Sequence, residues 1–424
     1  MTGEYSQSNR EKGVKELRIL IQKFGGTSVA TAQRRAIVAS KVSEAVHSGY
    51  SPVIVVSAIG RSGDPYATDT FLSIVRGICS ELSNRESDLL ISCGEVISGA
   101  ILVSTLSSLG FKATLFTGWQ AGIITDDKFG DARIIRVEPG KILEQLTQDK
   151  IVVVTGFQGI TENGQITTLG RGGSDITASA LGVALNATAI DIYTDVEGIM
   201  TADPRIVEDA QTIDTVTFNE ICQMAYQGAK VIHPRSVEIA MQRNIPLRIK
   251  STFSDGPGTL LTHMYPARKT GPGTTSDRAI TGIAHTPNIV QLRVLKGDSK
   301  DHRLMSQKIF KAMALADIGI DFVREQPTAV FYTVQDEVAP EAIDILSNLG
   351  FQADIVTSCA RVSVVGSGIT NVPRIISQLV EVLAEAGVTV LQLADSHTSI
   401  RVLVRKEDMV AAVQTLHKKF CLRV

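Results

Sequence analysis

Over residues 18–250 the chain alternates short apolar runs with longer stretches of helical period. The runs at 18–22, 52–57, 112–116, 151–155, 190–193 and 247–250 read as strands, and the patterns at 31–47 and 174–186 as helices between them. Such alternation predicts an α/β fold with a mostly parallel sheet. The fragment ITENGQITT, 160–168, interrupts it with an Asn-Gly hairpin in which both turn residues are expected at positive φ. One apolar run, 91–110, has nearly the length of a membrane span. It contains Glu95, several serines and three glycines, so it reads as a buried helix.

A break follows at about 254–278, bracketed by DGPGT and GPGTT, where Pro and Gly stop both helix and strand. Beyond it the pattern repeats. ALADIGI (314–320) and LAEAGV (383–388) each close a helical stretch and lead into a β-run. The first repeat reads strand 289–295, helix 305–317, strands 320–324 and 329–334, helix 340–349, strand 351–356; the second runs from 361–365 to 422–424. The order βαββαβ is ferredoxin-like. The expected division is a frayed extension over 1–17, a catalytic domain over 18–253, a linker over 254–284, and ferredoxin-like units over 285–358 and 359–424. VSVVGSGITN, 362–371, has the look of a dinucleotide fingerprint, but Asn371 stands at its third glycine position and Pro373 follows. Its strand also has a role in the second repeat, so a nucleotide site is not expected there.

Composition narrows the class of protein. A chain of 424 residues with 44% hydrophobic and 20% charged residues has the make-up of a soluble globular protein of two or three domains. Its net charge of -2 argues against nucleic-acid binding. The cysteines (79, 93, 222, 359, 421) are scattered without a C-x-x-C pair, which suits reduced thiols in the cytoplasm. Residues 1–16 carry no apolar core of a signal peptide.

Three glycine-rich turns carry the candidate chemistry: KFGGTS (23–28), SAIG (57–60) and GRGGSD (170–175). Two of them open helices, where free amides and the dipole attract anions. Lys23 ends a strand, so its ammonium can reach over the crevice at the strand carboxyl ends. As a point charge on a flexible stem it can follow a phosphoryl group from donor to acceptor. With Arg171, backbone amides, and Asp175 to orient the cations, the set suits phosphoryl transfer. The polar turn Thr194–Gly198 and the following Met200–Arg205 fit either a solvated loop or a ribose and base site. Lys230 in GAKV is a second cation for phosphate. Glu95 fits either a structural ion pair or a receptor for a substrate ammonium.

Taken together, KFGGTSV, ISCGE, GRGGSD, YTDVEG, TADPR and GAKV resemble the aspartokinases of the amino acid kinase family, in order and spacing. GDPYATD, AYQGAKVI and LADSHTSIRVLV are most similar to the diaminopimelate-sensitive aspartokinases of spore-forming bacteria. The resemblance implies a three-layer αβα sandwich with a mostly parallel central sheet, followed by two ACT units. It implies transfer of the ATP γ-phosphoryl to the β-carboxylate of L-aspartate, with Mg²⁺ carried on ATP oxygens. On this resemblance Lys23 and Asp175 are catalytic, and Thr68, Glu95, Arg171 and Ser174 bind aspartate. Lys23, Phe24, Gly25, Gly26, Thr194, Asp195, Met200, Thr201, Ala202, Asp203, Pro204, Arg205 and Lys230 bind the nucleotide, with Thr27 and Ser28 near the phosphates. Asp321, Gln326 and Thr328 match an effector-contact region, for meso-diaminopimelate or lysine. A homo-oligomer through the ACT units is implied, with no metal held by protein ligands alone and no membrane or nucleic-acid partner. Two alternatives stay open: a kinase for glutamate or N-acetylglutamate, and an amino acid sensor without activity.

Overall fold

The computed structural model describes residues 17–78, 82–229, 231–264, 280–295, 302–367, 369 and 373–420. The extension 1–16, Cys79, Lys230, Cys421 and the expected last strand 422–424 lie outside the described residues. By packing, the chain forms two units. One comprises the residues up to Glu197 together with Arg235–Leu260; the other comprises Gly198–Pro234 and Leu261–Val424.

The first unit runs β1 (Ile19–Phe24), α1 (Ala32–His47), β2 (Ser51–Val56), α2 (Thr68–Ile78), α3 (Asn84–Ser108), β3 (Ala113–Phe116), β4 (Ile123–Thr125) and β5 (Ile134–Val137). It continues with α4 (Gly140–Thr147), β6 (Ile151–Thr155), β7 (Gln158–Thr161), β8 (Ile166–Thr168), α5 (Gly173–Ala184) and β9 (Ala189–Thr194). The chain then supplies β10 (Thr215–Thr217) and α6 (Phe218–Tyr226) to the second unit. It returns through α7 (Pro234–Met241), β11 (Leu247–Ser251) and β12 (Thr259–Thr262). Strand β12 thus lies inside the expected linker, while 265–279 are outside the described residues.

Six strands of the main sheet lie in the order β11-β9-β1-β2-β6-β3, every neighbouring pair parallel. Both faces are covered, which is why Val53–Val56 and Ile151–Val154 are continuous apolar runs with no polar alternation. On one face Phe24, Ile54, Val56 and Val153 pack with Val38 and Val42 of α1 and with Leu102 and Leu106 of α3. On the other, α5 lies so close that a Cβ on Gly182 would come within 2.5 Å of Ile190. The layering is the αβα sandwich expected. The start of α1 is set by Thr31, whose hydroxyl accepts from the Arg34 amide, and that of α3 by Ser83, which accepts from Glu86.

A small sheet, β5-β4-β7-β8, carries the hairpin. Only Gly164 is at positive φ there, at 79°; Asn163 is not. Ile160 pairs with Ile166, and the Thr161 amide bonds to the Gln165 carbonyl. The turn therefore spans more than two residues and needs one left-handed position, not two. Helix α3, 25 residues long, is the described helix long and apolar enough to cross a membrane. It packs against β3, β6 and β8, and buries Asp88 and Glu95.

The second unit continues with β13 (Gly282–Leu295), α8 (His302–Leu315), β14 (Asp321–Glu325), β15 (Ala329–Gln335), α9 (Ala339–Asn348) and β16 (Ala353–Val365). Helix α10 (Pro373–Glu385), β17 (Gln392–Ser396), β18 (Ser399–Arg405) and α11 (Met409–Lys419) complete it. The two ferredoxin-like repeats share one six-stranded sheet, β14-β15-β13-β16-β18-β17. Strands β13 and β16 are long enough to serve both repeats. Residues 289–295 of β13 pair with β15, and 282–286 pair with 361–365 of β16. The boundary expected at 358/359 falls inside β16, and a strand of the second repeat comes from sequence ahead of the first. The same sheet gives VSVV of the apparent fingerprint a structural place beside β13 and β18.

Residues 198–234, expected in the catalytic domain, pack on this sheet. The Ile283 amide donates to the Thr201 carbonyl, Arg361 Nη2 to the Tyr226 carbonyl (3.1 Å), and Ser363 Oγ to Gln227 Oε1 (3.0 Å).

Candidate active site

Alternation along β1 sends Phe24 to the α1/α3 face and leaves Ile21 and Lys23 on the α5 face. Lys23 Nζ meets Asp175 Oδ1 at 2.6 Å, both side chains nearly buried. Asp175 sits in the first turn of α5, where a carboxylate complements the helix dipole. The helix opens from Gly172 at φ 72°, which favours glycine. Lysine, carboxylate and an anion-attracting helix start therefore converge at the carboxyl ends of β1 and β2.

Glu95 lies on α3 at 2% exposure. Its Oε1 accepts from the Ala58 amide at 3.0 Å, while Oε2 is buried with no hydrogen-bond partner. Burial pushes the carboxyl up to about 8, the Ala58 hydrogen bond opposing. The ion-pair alternative fails among the described residues, since Glu95 forms none of the salt bridges there. An orphaned buried carboxylate oxygen next to a cavity is suited to an incoming cation.

Lys23, Thr68, Glu95, Arg171, Ser174 and Asp175 all line one cavity of about 760 Å³. All four expected substrate ligands and both expected catalytic residues are thus brought together, although Lys23 and Asp175 are 152 positions apart in sequence. Thr68 opens α2, Ser174 is buried, and Arg171 is exposed. Asp88 also reaches the cavity and is 1% exposed. It went unnoticed in sequence, although an acid seven residues before Glu95 on an apolar helix shares that residue's face.

The nucleotide residues divide. Phe24 is fully buried and stacked on Tyr193 with ring centroids 4.7 Å apart, so only its backbone can meet a ligand. A Cβ on Gly25 would meet only ordinary contacts, at 3.8 Å from Lys23 Nζ and 3.9 Å from the Tyr193 carbonyl. Gly26 differs. A Cβ there would lie 2.4 Å from the Ala58 carbonyl, so this glycine serves turn-on-turn packing. Thr27 lines a smaller cavity with Arg34, Arg61 and Asp195, but Ser28 is buried against the Thr252 hydroxyl at 2.7 Å and cannot reach a phosphate. Thr194 ends β9, and Asp195 pairs with Arg61.

Met200–Arg205 belong to the second unit. Thr201 and Ala202 are buried there, Thr201 Oγ1 lying 2.9 Å from His417 Nε2, so neither side chain is available to a nucleotide. Met200, Asp203, Pro204 and Arg205 are at least partly exposed, and Arg205 is held by Asp203 at 2.6 Å. Lys230 lies outside the described residues. In the expected effector region Thr328 is exposed, and Gln326, with its amide oriented to accept, takes bonds from Arg324 Nε (3.1 Å) and Nη2 (2.7 Å). Asp321 is occupied within the sheet: it accepts from Arg361 and, at 2.9 Å, from Arg401. Among the described residues no group of three or more His, Cys, Asp or Glu side chains is arranged to hold a metal.

A parallel sheet with a lysine–carboxylate pair at a helix start suits phosphoryl transfer to a small acceptor, and a shared ferredoxin-like sheet follows it in the chain. The profile of the amino acid kinase family matches residues 18–251, and an ACT domain profile matches 354–418. Aspartokinase 1 of Bacillus subtilis is 48% identical over 404 residues, covering 95% of this chain and 99% of its own. A crystal structure of E. coli aspartokinase III with aspartate and ADP (R-state) matches with a TM-score of 0.76 and 25% identity, over 95% of this chain and 99% of that one. The same enzyme with lysine and aspartate (T-state) matches with a TM-score of 0.71 and 25% identity, over the same shares. The chain belongs to the aspartokinases of the amino acid kinase family.

Proposed function

We propose that the protein is an aspartate kinase, transferring the γ-phosphoryl group of ATP to the β-carboxylate of L-aspartate to give 4-phospho-L-aspartate and ADP. This is the first step towards lysine and diaminopimelate, threonine and methionine. The observation that carries the reading is the single cavity lined by Lys23, Asp175, Glu95 and Arg171. The acceptor carboxylate, with a pKa near ~3.9, is already ionised at pH 7, so the reaction needs no base. The difficulty is bringing one anion against another, which fixed cations and oriented amides relieve. Lys23 neutralises charge on the transferred group, and Asp175 holds its ammonium over the strand ends. Glu95 Oε2 receives the substrate α-ammonium. Arg171 takes a carboxylate through its planar fork. Ser174 and Thr68 supply hydroxyls at the margin of the same cavity. Mg²⁺ enters on phosphate oxygens and water, in keeping with that ion's preferences and with the one carboxylate paired with Lys23 among the described residues.

The second unit is the regulatory part, with feedback by an end-product amino acid, meso-diaminopimelate or lysine, and with assembly of copies through the ACT units. The enzyme works in the cytoplasm. A coupled ADP-release assay with ATP, Mg²⁺ and single amino acids tests the reading: aspartate is turned over and glutamate is not. Phosphorylation of glutamate alone would move the assignment to another amino acid kinase. Titration of lysine, threonine and meso-diaminopimelate into the same assay tests the regulatory half, which fails if none alters the rate.

A further inference from the structure

The carboxylate of Asp88 is buried and belongs to α3, and its hydrogen bonds run to residues outside that helix. Its Oδ2 accepts from the Gly130 amide at 2.9 Å and the Thr168 amide at 2.8 Å, and its Oδ1 accepts from Thr168 Oγ1 at 2.6 Å. Thr168 is the last residue of β8 and stands three residues before Arg171. Both of its donors end on one carboxylate. Gly130 belongs to a neighbouring loop that lies directly against Gly170, where a built Cβ would come within 2.8 Å of Asp131 and 3.2 Å of the Gly130 carbonyl. Arg235 joins the same loop to the residue before the turn, donating to the Ala132 carbonyl at 2.7 Å and the Leu169 carbonyl at 3.2 Å. The Ala132 amide in turn donates to the Thr168 carbonyl at 2.9 Å. The residues leading into the turn that carries Arg171 are thus held by several hydrogen bonds, while Arg171 itself is exposed.

We propose that Asp88 is a positioning residue for the acceptor side of the reaction: through three hydrogen bonds to Thr168 and Gly130 it sets the turn from which Arg171 reaches the aspartate carboxylate. The inference rests on the assignment of Arg171 to substrate. Asp88 borders the cavity, but both of its oxygens already accept from the protein, Oδ2 from two backbone amides and Oδ1 from the Thr168 hydroxyl, so its effect is assigned through the turn. Replacing it with asparagine turns one acceptor oxygen into a donor facing donors, at nearly constant shape.

The test is steady-state kinetics on the full chain with D88N, T168V, R171A and the D88N/R171A double variant. T168V keeps the Thr168 amide bond and loses only the hydroxyl bond, so it reports even if D88N folds poorly. D88N is expected to raise the KM for aspartate about tenfold and T168V about threefold, with the KM for ATP changed by less than twofold. In the R171A background D88N should add less than twofold, since a residue acting through Arg171 has nothing left to position. Equal rises in both KM values, or a lowered melting temperature with both KM values unchanged, would reduce Asp88 to a fold-stabilising residue and overturn the proposal. Multiplicative effects in the double variant would overturn it too, by showing contact with substrate independent of Arg171. Absence of aspartate turnover in the unmodified protein would remove the aspartate kinase reading itself, an outcome distinct from turnover with multiplicative variants.

Discussion

At the scale of single residues, the proposed reaction gives Lys23 and Glu95 separate roles that can be tested separately. Lys23→Ala removes the ammonium paired with Asp175 at the helix start. It is expected to lower kcat by roughly 10²–10³-fold, the range seen when a transition-state charge partner is lost. An unchanged kcat in the ADP-release assay would take Lys23 out of the chemistry. Glu95 makes a prediction in pH. In the proposed role its ionised form receives the substrate ammonium, and burial places the gain of that form in the free protein at about pH 8. The KM for aspartate should therefore fall between pH 7 and pH 9, while kcat, which reports the complex, should not follow it. A flat KM over that interval contradicts the role.

Stability has the opposite dependence. A carboxyl at about 8 in the folded chain, against an ordinary 4.5, binds its proton more tightly when folded. Ionising it costs stability progressively from pH 4.5 to about 8 and no further above that. Glu95→Gln is accordingly expected to raise the KM for aspartate at least tenfold. It should also raise the melting temperature at pH 8 more than at pH 5. A larger gain at pH 5 would reverse the assigned cause. Of these residues, Lys23, Glu95, Arg171 and Asp175 were legible because each departs from an otherwise apolar or glycine-rich run. Asp88 and Arg235 were not, because what marks them is their bonding to backbone groups that sequence does not locate.

Among the elements, the buried parallel strands were the most legible. Residues 151–155 are a strand as expected, and the others differ by one or two residues at their ends. Continuous apolar runs announce strands covered on both faces, and Thr31 announces α1 through its capping hydroxyl. Turns were read less well. KFGG suggested two glycines open to a ligand, yet Gly26 is required by the Ala58 carbonyl. Gly26→Ala is expected to destabilise the first unit by about 1–3 kcal/mol, since relief of a 2.4 Å approach to backbone must move a turn. Gly25→Ala, whose Cβ meets nothing nearer than 3.8 Å, should leave the melting temperature within a degree or two while weakening ATP binding. Equal losses of stability in the two variants would refute that distinction.

For the whole molecule, the packing of residues 198–234 on the regulatory sheet has consequences for residues that contact no substrate. Asp321 bonds two arginines, and burial lowers the pKa of one of them, Arg361, against the pull of that carboxylate. Arg361 also bonds the Tyr226 carbonyl and the Thr286 hydroxyl. Asp321→Asn leaves two arginines without their carboxylate. The expected cost to the second unit is about 2 kcal/mol, less than the ~3–5 of a fully buried pair because Asp321 is about a third exposed. A thermal unfolding profile unchanged from that of the parent would show the cluster to be inert. An altered response to lysine or meso-diaminopimelate in the same variant is also expected, since Asp321 lies in the proposed effector segment.

By itself the sequence determined the kinase sheet, the chemistry of its glycine turns and the presence of two ferredoxin-like repeats. Each of these is written in local patterns: runs of apolar residues, glycines beside lysine and arginine, and a repeated order of elements. Only the tertiary structure decided that the repeats share β13 and β16, that Gly198–Pro234 pack with them, and that Glu95 has no cation among the described residues. Those outcomes depend on contacts between residues tens to hundreds of positions apart, where burial and hydrogen-bond satisfaction choose among partners that local pattern leaves equivalent.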